Sequence, residues 1–493
     1  VASSKNVAKK LEPGMQALGI RSKKQAKALG VDFSCGKKIK RSVQAKRVEA
    51  ISARQGWYRS LKKTAARRLC RTGGAPAMRY GSLVVGTPDT TIKKVRRFEC
   101  GAQGEMRGRS TFARLQLCDF DTGALMAIDP IVTWSRAVWD GLASKEDLEV
   151  TWQRAMTEVG LSARPFQGVA GPAGAMVASA HRRGWKVPGP FVLALGDGSL
   201  LDLETVCPMV VKEYALDDLM RKEAASSSLA NRIGGPPDLR PLRDHLKSKK
   251  AARGNPRAAG SFGALGEGGW WTQERLFEDG FEGVEDPFCR ACGPSAPLEH
   301  QSPLRLPKAI GTIHHRCCGC RATQHLRSRH GNQEVLGRAL SALHGSDPLY
   351  QYGVPLLRPR PRAPVLQVLW AGGKTPDGDF TFTGHGFTDG AMKGRAPRSA
   401  RRAGWAAILV DDEGQVIAGI YGTCPDHFPT SLRAELRAVI QMLELALPPL
   451  VIWVDNKNVV DGWKKGRLWC CSSGRPAADL WRRFWHLIDD IGP

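Results

Sequence analysis

Between Gly404 and Val454 the period of the apolar residues changes twice, and this restricts the fold more than any other feature of the chain. Gly404 to Val410 and Val416 to Tyr421 read as strands, joined by the turn residues Asp411-Asp412-Glu413-Gly414. The Asp-Asp pair invites a polymerase reading, but two turn formers between apolar runs explain it better. After Pro429, Thr430 or Ser431 can cap a helix. Leu432, Leu436, Val439, Ile440, Leu443 and Leu447 then recur at helical spacing, and Pro448-Pro449 is expected to end the helix. Leu450 to Val454 is a continuous apolar run, as an interior parallel strand requires. Two further helices are predicted, near Asn458 to Lys465 and over Ala477 to Ile488, the latter with Leu480, Phe484 and Leu487 on one face. Hairpin, amphipathic helix and buried strand, in that order, point to an open α/β sheet.

Three carboxylates occupy telling places in this pattern. Asp389 lies in F-T-D-G-A, before Gly390, which lets backbone and substrate come close. Glu435 lies three residues after Leu432 and one before Leu436, on the buried edge of its helix. A carboxylate there is costly unless a basic group or a metal compensates it. Asp455 emerges where the apolar strand ends, the usual edge for a site in an open α/β sheet. Carboxylates in such a set hold hard divalent cations for phosphodiester chemistry, with Mg²⁺ or Mn²⁺ as the expected ions.

A second cluster has different chemistry. Cys289-Arg-Ala-Cys292 is followed by His314-His315-Arg-Cys317-Cys318-Gly-Cys320. The C-x2-C and H-x4-C pairs suit a tetrahedral, structural Zn²⁺ held by Cys289, Cys292, His315 and Cys320. His300 is a rival third ligand, with Arg305 where the following Cys would stand. The 13 Cys form no evenly spaced framework, which points to metal binding in a reducing, intracellular compartment.

The net charge of +26 over 493 residues favours a polyanionic partner, most simply nucleic acid. The excess is greatest near the N-terminus, where the acids of residues 1–70 are Glu12, Asp32 and Glu49 alone. Arg21 to Arg68 reads as basic helices whose phosphate contacts would weaken steeply with salt. No signal peptide, membrane span or small-molecule cofactor motif is visible. The chain begins with Val1, as a fragment does.

The chain divides into a basic helical region at 1–130, with short strand-like runs such as Tyr80 to Val85, and a connector at 131–285. In the connector, Trp134, Val138, Trp139 and Leu142 are spaced as a helix face. Phe191 to Leu203 alternates around Gly196-Asp197-Gly198 as a hairpin. A zinc-module-like segment at 286–335 follows, then a helix and Pro/Arg linker at 336–375, then the α/β block at 376–493.

Residues 383–489 resemble type 1 ribonuclease H. The matching pieces are T-D-G-A at 388–391, G-W-A-A-I-L at 404–409, R-A-E-L-R-A-V at 433–439, V-D-N-K-N-V-V at 454–460 and D-L-W-R-R-F at 479–484. The resemblance implies a ribonuclease H-like mixed sheet of five strands with helices on both faces, and cleavage of the RNA strand of an RNA–DNA hybrid with two Mg²⁺ ions. It gives Asp389 the role of bridging both ions, with Glu435 and Asp455 each completing one site. Integrases place their Glu last and proofreading exonucleases open with Asp-x-Glu, so neither order fits.

The family also carries a fourth metal carboxylate, preceded by a mobile His, beyond the helix matched here by Asp479 to Leu487. The sequence stops at Pro493, before that region, and Asp489 and Asp490 lie too early to replace it. The resemblance therefore implies a truncated domain without its last core helix. Ser431 and Leu432 stand where family members often have the Asn residues that touch the hybrid's sugars. The basic loop Lys393 to Arg402 is either a phosphate contact or a solvated hairpin.

A C-x2-C…H-x4-C cluster before such a block resembles the tail of a non-LTR (LINE-like) retrotransposon polyprotein. L-G-V-D-F…K-K-I-K-R at 29–41, R-Y-G at 79–81 and V-V-G-T-P at 84–88 are similar to the thumb and connection after a reverse-transcriptase palm. The palm itself is not in the sequence. The expected function is a metal-dependent endonuclease on hybrid substrates, with a catalytically inactive nucleic-acid-binding remnant as the alternative. Nuclear action is implied only through the retrotransposon likeness.

Overall fold

The computed structural model describes residues 41–103, 111–117, 121–160, 162–247, 271–292, 309–330, 332–341, 347–357, 367–371, 380–392, 401–425 and 429–492, with two short strands at 25–28 and 31–34. The chain forms two compact units. One takes in 1–105, 121–219 and 358–493, the other 106–120 and 220–357. The units are interleaved in sequence, so neither is a single continuous stretch.

In the first unit, strands β1 (Gln25–Ala28) and β2 (Val31–Ser34) pair antiparallel. A helix was expected there; Val31 and Phe33 alternate with Asp32 and Ser34, and that period of two decides for a strand. Helices α1 (Ser42–Ser52), α2 (Asp89–Gln103) and α3 (Thr122–Trp139) share a core of Val48, Tyr58, Met78, Val95, Phe98 and Met126. Ser82–Val85, expected as extended, is a short helix, entered from Gly81 at φ 87°. The Asp121 side chain caps α3 by accepting from the Ala124 N–H at 2.6 Å.

Helix α3 continues into a second core with α4 (Pro172–Arg182), built on Ile128, Ile131, Trp134, Met176 and Val177. Trp134 and Trp139 are buried as the helix face predicts, whereas Leu142 lies past the helix end and is exposed. The three-stranded sheet of β3 (Lys186–Gly189), β4 (Val192–Ala194) and β5 (Leu200–Asp202) covers this core, and β4–β5 is the expected hairpin. Helix α5 (Pro208–Ala225) adds Val211, Tyr214 and Ala215.

The acidic residues belong to a five-stranded mixed sheet, formed by β6 (Gln367–Ala371), β7 (Phe382–Met392), β8 (Ala403–Val410), β9 (Val416–Thr423) and β10 (Ala446–Val454) in the order β10-β7-β8-β9-β6. β10 runs parallel to β7, and the other pairs are antiparallel. The β8–β9 turn is closed by Asp411 and Gln415 backbone pairing with Gly414 at φ 79°, so Asp411-Asp412 is a turn. β6 joins the sheet against β9, so the sheet begins within the segment read as a linker. The basic segment 393–400 and His300 lie outside the described residues.

Helix α6 (Ser431–Glu444) is capped by Thr430, whose hydroxyl accepts from the Arg433 N–H. It ends at Glu444, earlier than Pro448-Pro449, because the Leu445 carbonyl already accepts from Phe382 N–H of β7 at 2.7 Å. The two prolines lie inside β10, at the sheet edge, where a missing N–H costs least. β10 is therefore an edge strand among the described residues, and the expectation of an interior one is corrected. Ile452 and Val454 pack inward while Val451 and Trp453 stay exposed.

Helices α7 (Lys457–Lys465) and α8 (Ala478–Ile491) pack with α6 through Leu436, Val439, Ile440, Trp481 and Phe484. On the sheet face opposite α6, Phe387, Tyr421, Val451 and Trp453 are exposed. Helices on both faces were expected; among the described residues α6, α7 and α8 share one. In the second unit, Met220, Leu229, Ile233, Leu239, Val354 and Leu357 form a small core. Among the described residues no helix is long and apolar enough to cross a membrane.

Candidate metal centres

Asp389, Glu435 and Asp455 reach one place from three elements. β7 and β10 run side by side with Thr388 opposite Val454, so Asp389 and Asp455, each the next residue, follow beside one another. α6 brings Glu435 over them because Gly390 gives it room. A Cβ built at Gly390 would sit 2.2 Å from the Glu435 nitrogen and 2.5 Å from the Ala434 carbonyl carbon. The glycine therefore admits the helix backbone itself, which the sequence alone did not reveal. One carboxylate oxygen from each residue lies within 4.8 Å of the other two.

Glu435 is 4% exposed, whereas Asp389 and Asp455 are open to solvent. Burial raises the Glu435 carboxyl above the ordinary glutamate range, and the charges of Asp455 and Asp389 push it further. Hydrogen bonding from Asn456 and the Gly390 N–H works against that rise. Glu435 Oε2 is buried without a hydrogen-bond partner. A buried carboxylate with an unpartnered oxygen, clustered with two more carboxylates, is an arrangement a hard cation can complete. Oxygens about 2.1 Å from one octahedral ion lie about 3 Å apart when cis and about 4.2 Å apart when trans, so separations of 4.8 Å or less admit one ion or a shared pair.

Arg433, two residues before Glu435, is anchored in turn. Its Nη1 and Nη2 donate to Asp479 Oδ1 and Oδ2 at 2.8 and 2.7 Å. Burial tends to raise the Asp479 carboxyl, but the Arg433 guanidinium outweighs it and holds it below the ordinary aspartate range. Arg433 lies in R-A-E-L-R-A-V and Asp479 in D-L-W-R-R-F. They are 46 positions apart, and nothing in one sequence marks the pair.

The second cluster has formed as expected. Cys289, Cys292, His315 and Cys320 place their ligand atoms within 4.8 Å of one another. Cys289 Sγ is 3.9 Å from Cys320 Sγ, and Cys292 Sγ is 3.1 Å from His315 Nε2. Tetrahedral Zn²⁺ with bonds of about 2.3 Å to sulfur has S···S edges of about 3.8 Å. The Phe288–Ile310 bridge presents Cys289, and Thr312 Oγ1 accepts from the His315 N–H at 2.9 Å. Cys317, Cys318 and His314 stand outside the set; His314 Nε2 meets the Ala339 carbonyl instead.

Burial and mutual interaction shift three of the four groups. Burial, aided by the neighbouring Cys320 and Cys289, pushes the Cys292 thiol up to about 12. Burial opposes ionisation of Cys320 as well, but Cys292 and the N–H groups of Ala322 and Thr323 stabilise its thiolate and draw its pKa down. Burial, then the charges of Arg327, His314 and Arg316, lower His315, leaving the imidazole neutral, its ligand form.

No family model matches the chain, and no curated protein or solved structure is significantly similar to it.

Proposed function

We propose that this chain is the C-terminal part of a non-LTR retrotransposon polyprotein, and that residues 367–491 form a type 1 ribonuclease H-like nuclease cleaving the RNA strand of RNA–DNA hybrids. The observation that carries the reading is the convergence of the Asp389, Glu435 and Asp455 carboxylates, the second of them buried and with one oxygen, Oε2, that has no hydrogen-bond partner. These three side chains would hold Mg²⁺ or Mn²⁺. Bound there, the ions would supply a Lewis acid for the scissile phosphate and a lowered pKa for the attacking water. The protein's own part is geometric. β7 and β10 fix two carboxylates in register, and α6 supplies the third from a buried helix face. The open sides of Asp389 and Asp455 leave room for a phosphodiester.

Cys289, Cys292, His315 and Cys320 would hold a structural Zn²⁺, since all four positions are filled by protein ligands. The charge of +26 supports a nucleic-acid partner. Purified chain, given a hybrid with labelled RNA and Mg²⁺ or Mn²⁺, is expected to cut the RNA, and Asp389→Asn to abolish cutting without unfolding the protein.

One observation favours a second reading, a nucleic-acid-binding protein without catalysis. Among the described residues only three carboxylates converge, and the two-ion chemistry of this nuclease type uses four. That reading predicts salt-sensitive binding with no cleavage even in Mn²⁺.

A further inference from the structure

Residues upstream of the sheet are tied to the helix that bears Glu435. Trp139, the last residue of α3, is buried, and its indole N–H donates to the Cys471 carbonyl at 2.8 Å. The Arg482 guanidinium of α8 lies 3.3 Å from the Trp139 ring centroid. It also donates to the Trp139 carbonyl at 2.6 Å and to the Glu204 carbonyl at 3.2 Å. Cys207 and Ala478, both fully buried, complete a small apolar cluster with Trp139.

The contacts converge on the connection between residues 471 and 479. The Pro476 carbonyl lies 3.8 Å from the Cys207 sulfur on one side. On the other it accepts from Arg433 Nη1 at 3.2 Å. The same guanidinium grips Asp479, at the start of α8. The connection is thus held from upstream by Trp139 and Cys207 and from the α6 side by Arg433. Arg433 sits in the first turn of α6, two residues before Glu435.

We infer that residues 122–207 act as an intrachain brace, and that Trp139, Arg482 and Asp479 are positioning residues that hold the first turn of α6 and so aim Glu435 at its two partner carboxylates. The metal consequence rests on reading that cluster as a divalent-cation site. Three carboxylates within 4.8 Å repel one another, and a buried one keeps its orientation only if its helix cannot yield. The bidentate Arg433–Asp479 pair supplies that resistance only while Asp479 is itself fixed. Arg482, three residues along α8, and Ala478, one residue before, attach that helix to the upstream layer.

The test uses the full chain and two variants. Trp139→Phe keeps a ring under Arg482 but removes the indole donor, and Arg482→Met removes the guanidinium but keeps the length. Amide exchange over residues 431–436 is compared with exchange in β8, and Mn²⁺ affinity is measured by calorimetry. The expected result is about tenfold faster exchange at 431–436 with β8 unchanged, and Mn²⁺ affinity lower by up to about tenfold, or 1.4 kcal/mol. Unchanged exchange at 431–436 overturns the brace. So does an equal rise throughout the sheet, which marks general destabilisation. Asp389→Asn separates the two claims: if it binds Mn²⁺ as well as the parent chain, the cation reading fails, while the exchange result still decides the brace.

Discussion

Arg433 and Asp479 face each other through two parallel hydrogen bonds of 2.8 and 2.7 Å, with the arginine side chain 5% and the aspartate side chain 18% exposed. The pair joins the N-terminal turn of α6 to that of α8. Removing one partner of such a pair leaves a desolvated charge, so Asp479→Ala is expected to cost about 3–5 kcal/mol of stability. Chemical denaturation checks the value, and a loss below about 1 kcal/mol would show that the pair is solvent-screened.

The same pair sets an acid limit. The folded pKa of Asp479 lies below its unfolded value. Its contribution is fully present above the unfolded value and is lost as the pH falls through the depressed folded one. The acid slope of stability in the parent chain should therefore extend below the ordinary aspartate range, and Asp479→Asn should flatten it. Melting curves across that range decide the matter.

Glu435 behaves oppositely. Its raised folded pKa means that protonation stabilises the cation-free protein, and that this stabilisation fades as the pH rises through the folded value. In a chelating buffer at neutral pH, Glu435→Gln should melt a few degrees above the parent chain. With millimolar Mg²⁺ the parent should recover or exceed that difference, and the variant should not respond. Equal responses to Mg²⁺ would place the cation elsewhere.

Gly390 tests the approach of α6 to β7. A Cβ there would meet the Glu435 nitrogen at 2.2 Å, and backbone cannot swing aside as a long side chain can. Gly390→Ala is expected to cost about 3 kcal/mol or more, beyond ordinary overpacking. A variant as stable as the parent would mean that α6 lies farther from the strand.

The Cys/His set makes a separate claim. The purified chain is expected to carry about one equivalent of zinc, removed by a strong chelator, and Cys289→Ser to lose most of it. Cys317→Ser should keep it, since Cys317 is exposed and outside the set. Elemental analysis of the two variants distinguishes them directly.

The parts legible in the sequence were those with a local signal. The strand–turn–strand run, the α6 stripe from Leu432 to Leu443 and the Cys/His spacing each leave a period or a fixed interval, and each is present in the structure; Leu447, read as the end of that stripe, lies in β10 and is exposed. The carboxylates were legible because a charge on a buried helix edge, as at Glu435, conflicts with its surroundings. What failed depended on tertiary context. Nothing local shows that β10 lies at an edge, since Leu450 to Val454 is equally apolar either way. β6 looked like the end of a proline-rich linker because its partner, β9, lies some fifty residues downstream. Arg433–Asp479 and Trp139–Arg482 span long separations and have no spacing rule to betray them.

The central claim, that Asp389, Glu435 and Asp455 chelate a divalent cation used to cut nucleic acid, is tested most directly by one comparison. The parent chain and Asp389→Asn, both shown to be folded, are incubated with an RNA–DNA hybrid in Mn²⁺ and the RNA strand is followed. Cleavage by the parent and none by Asp389→Asn is the predicted result; equal cleavage by both, or none by either, contradicts it.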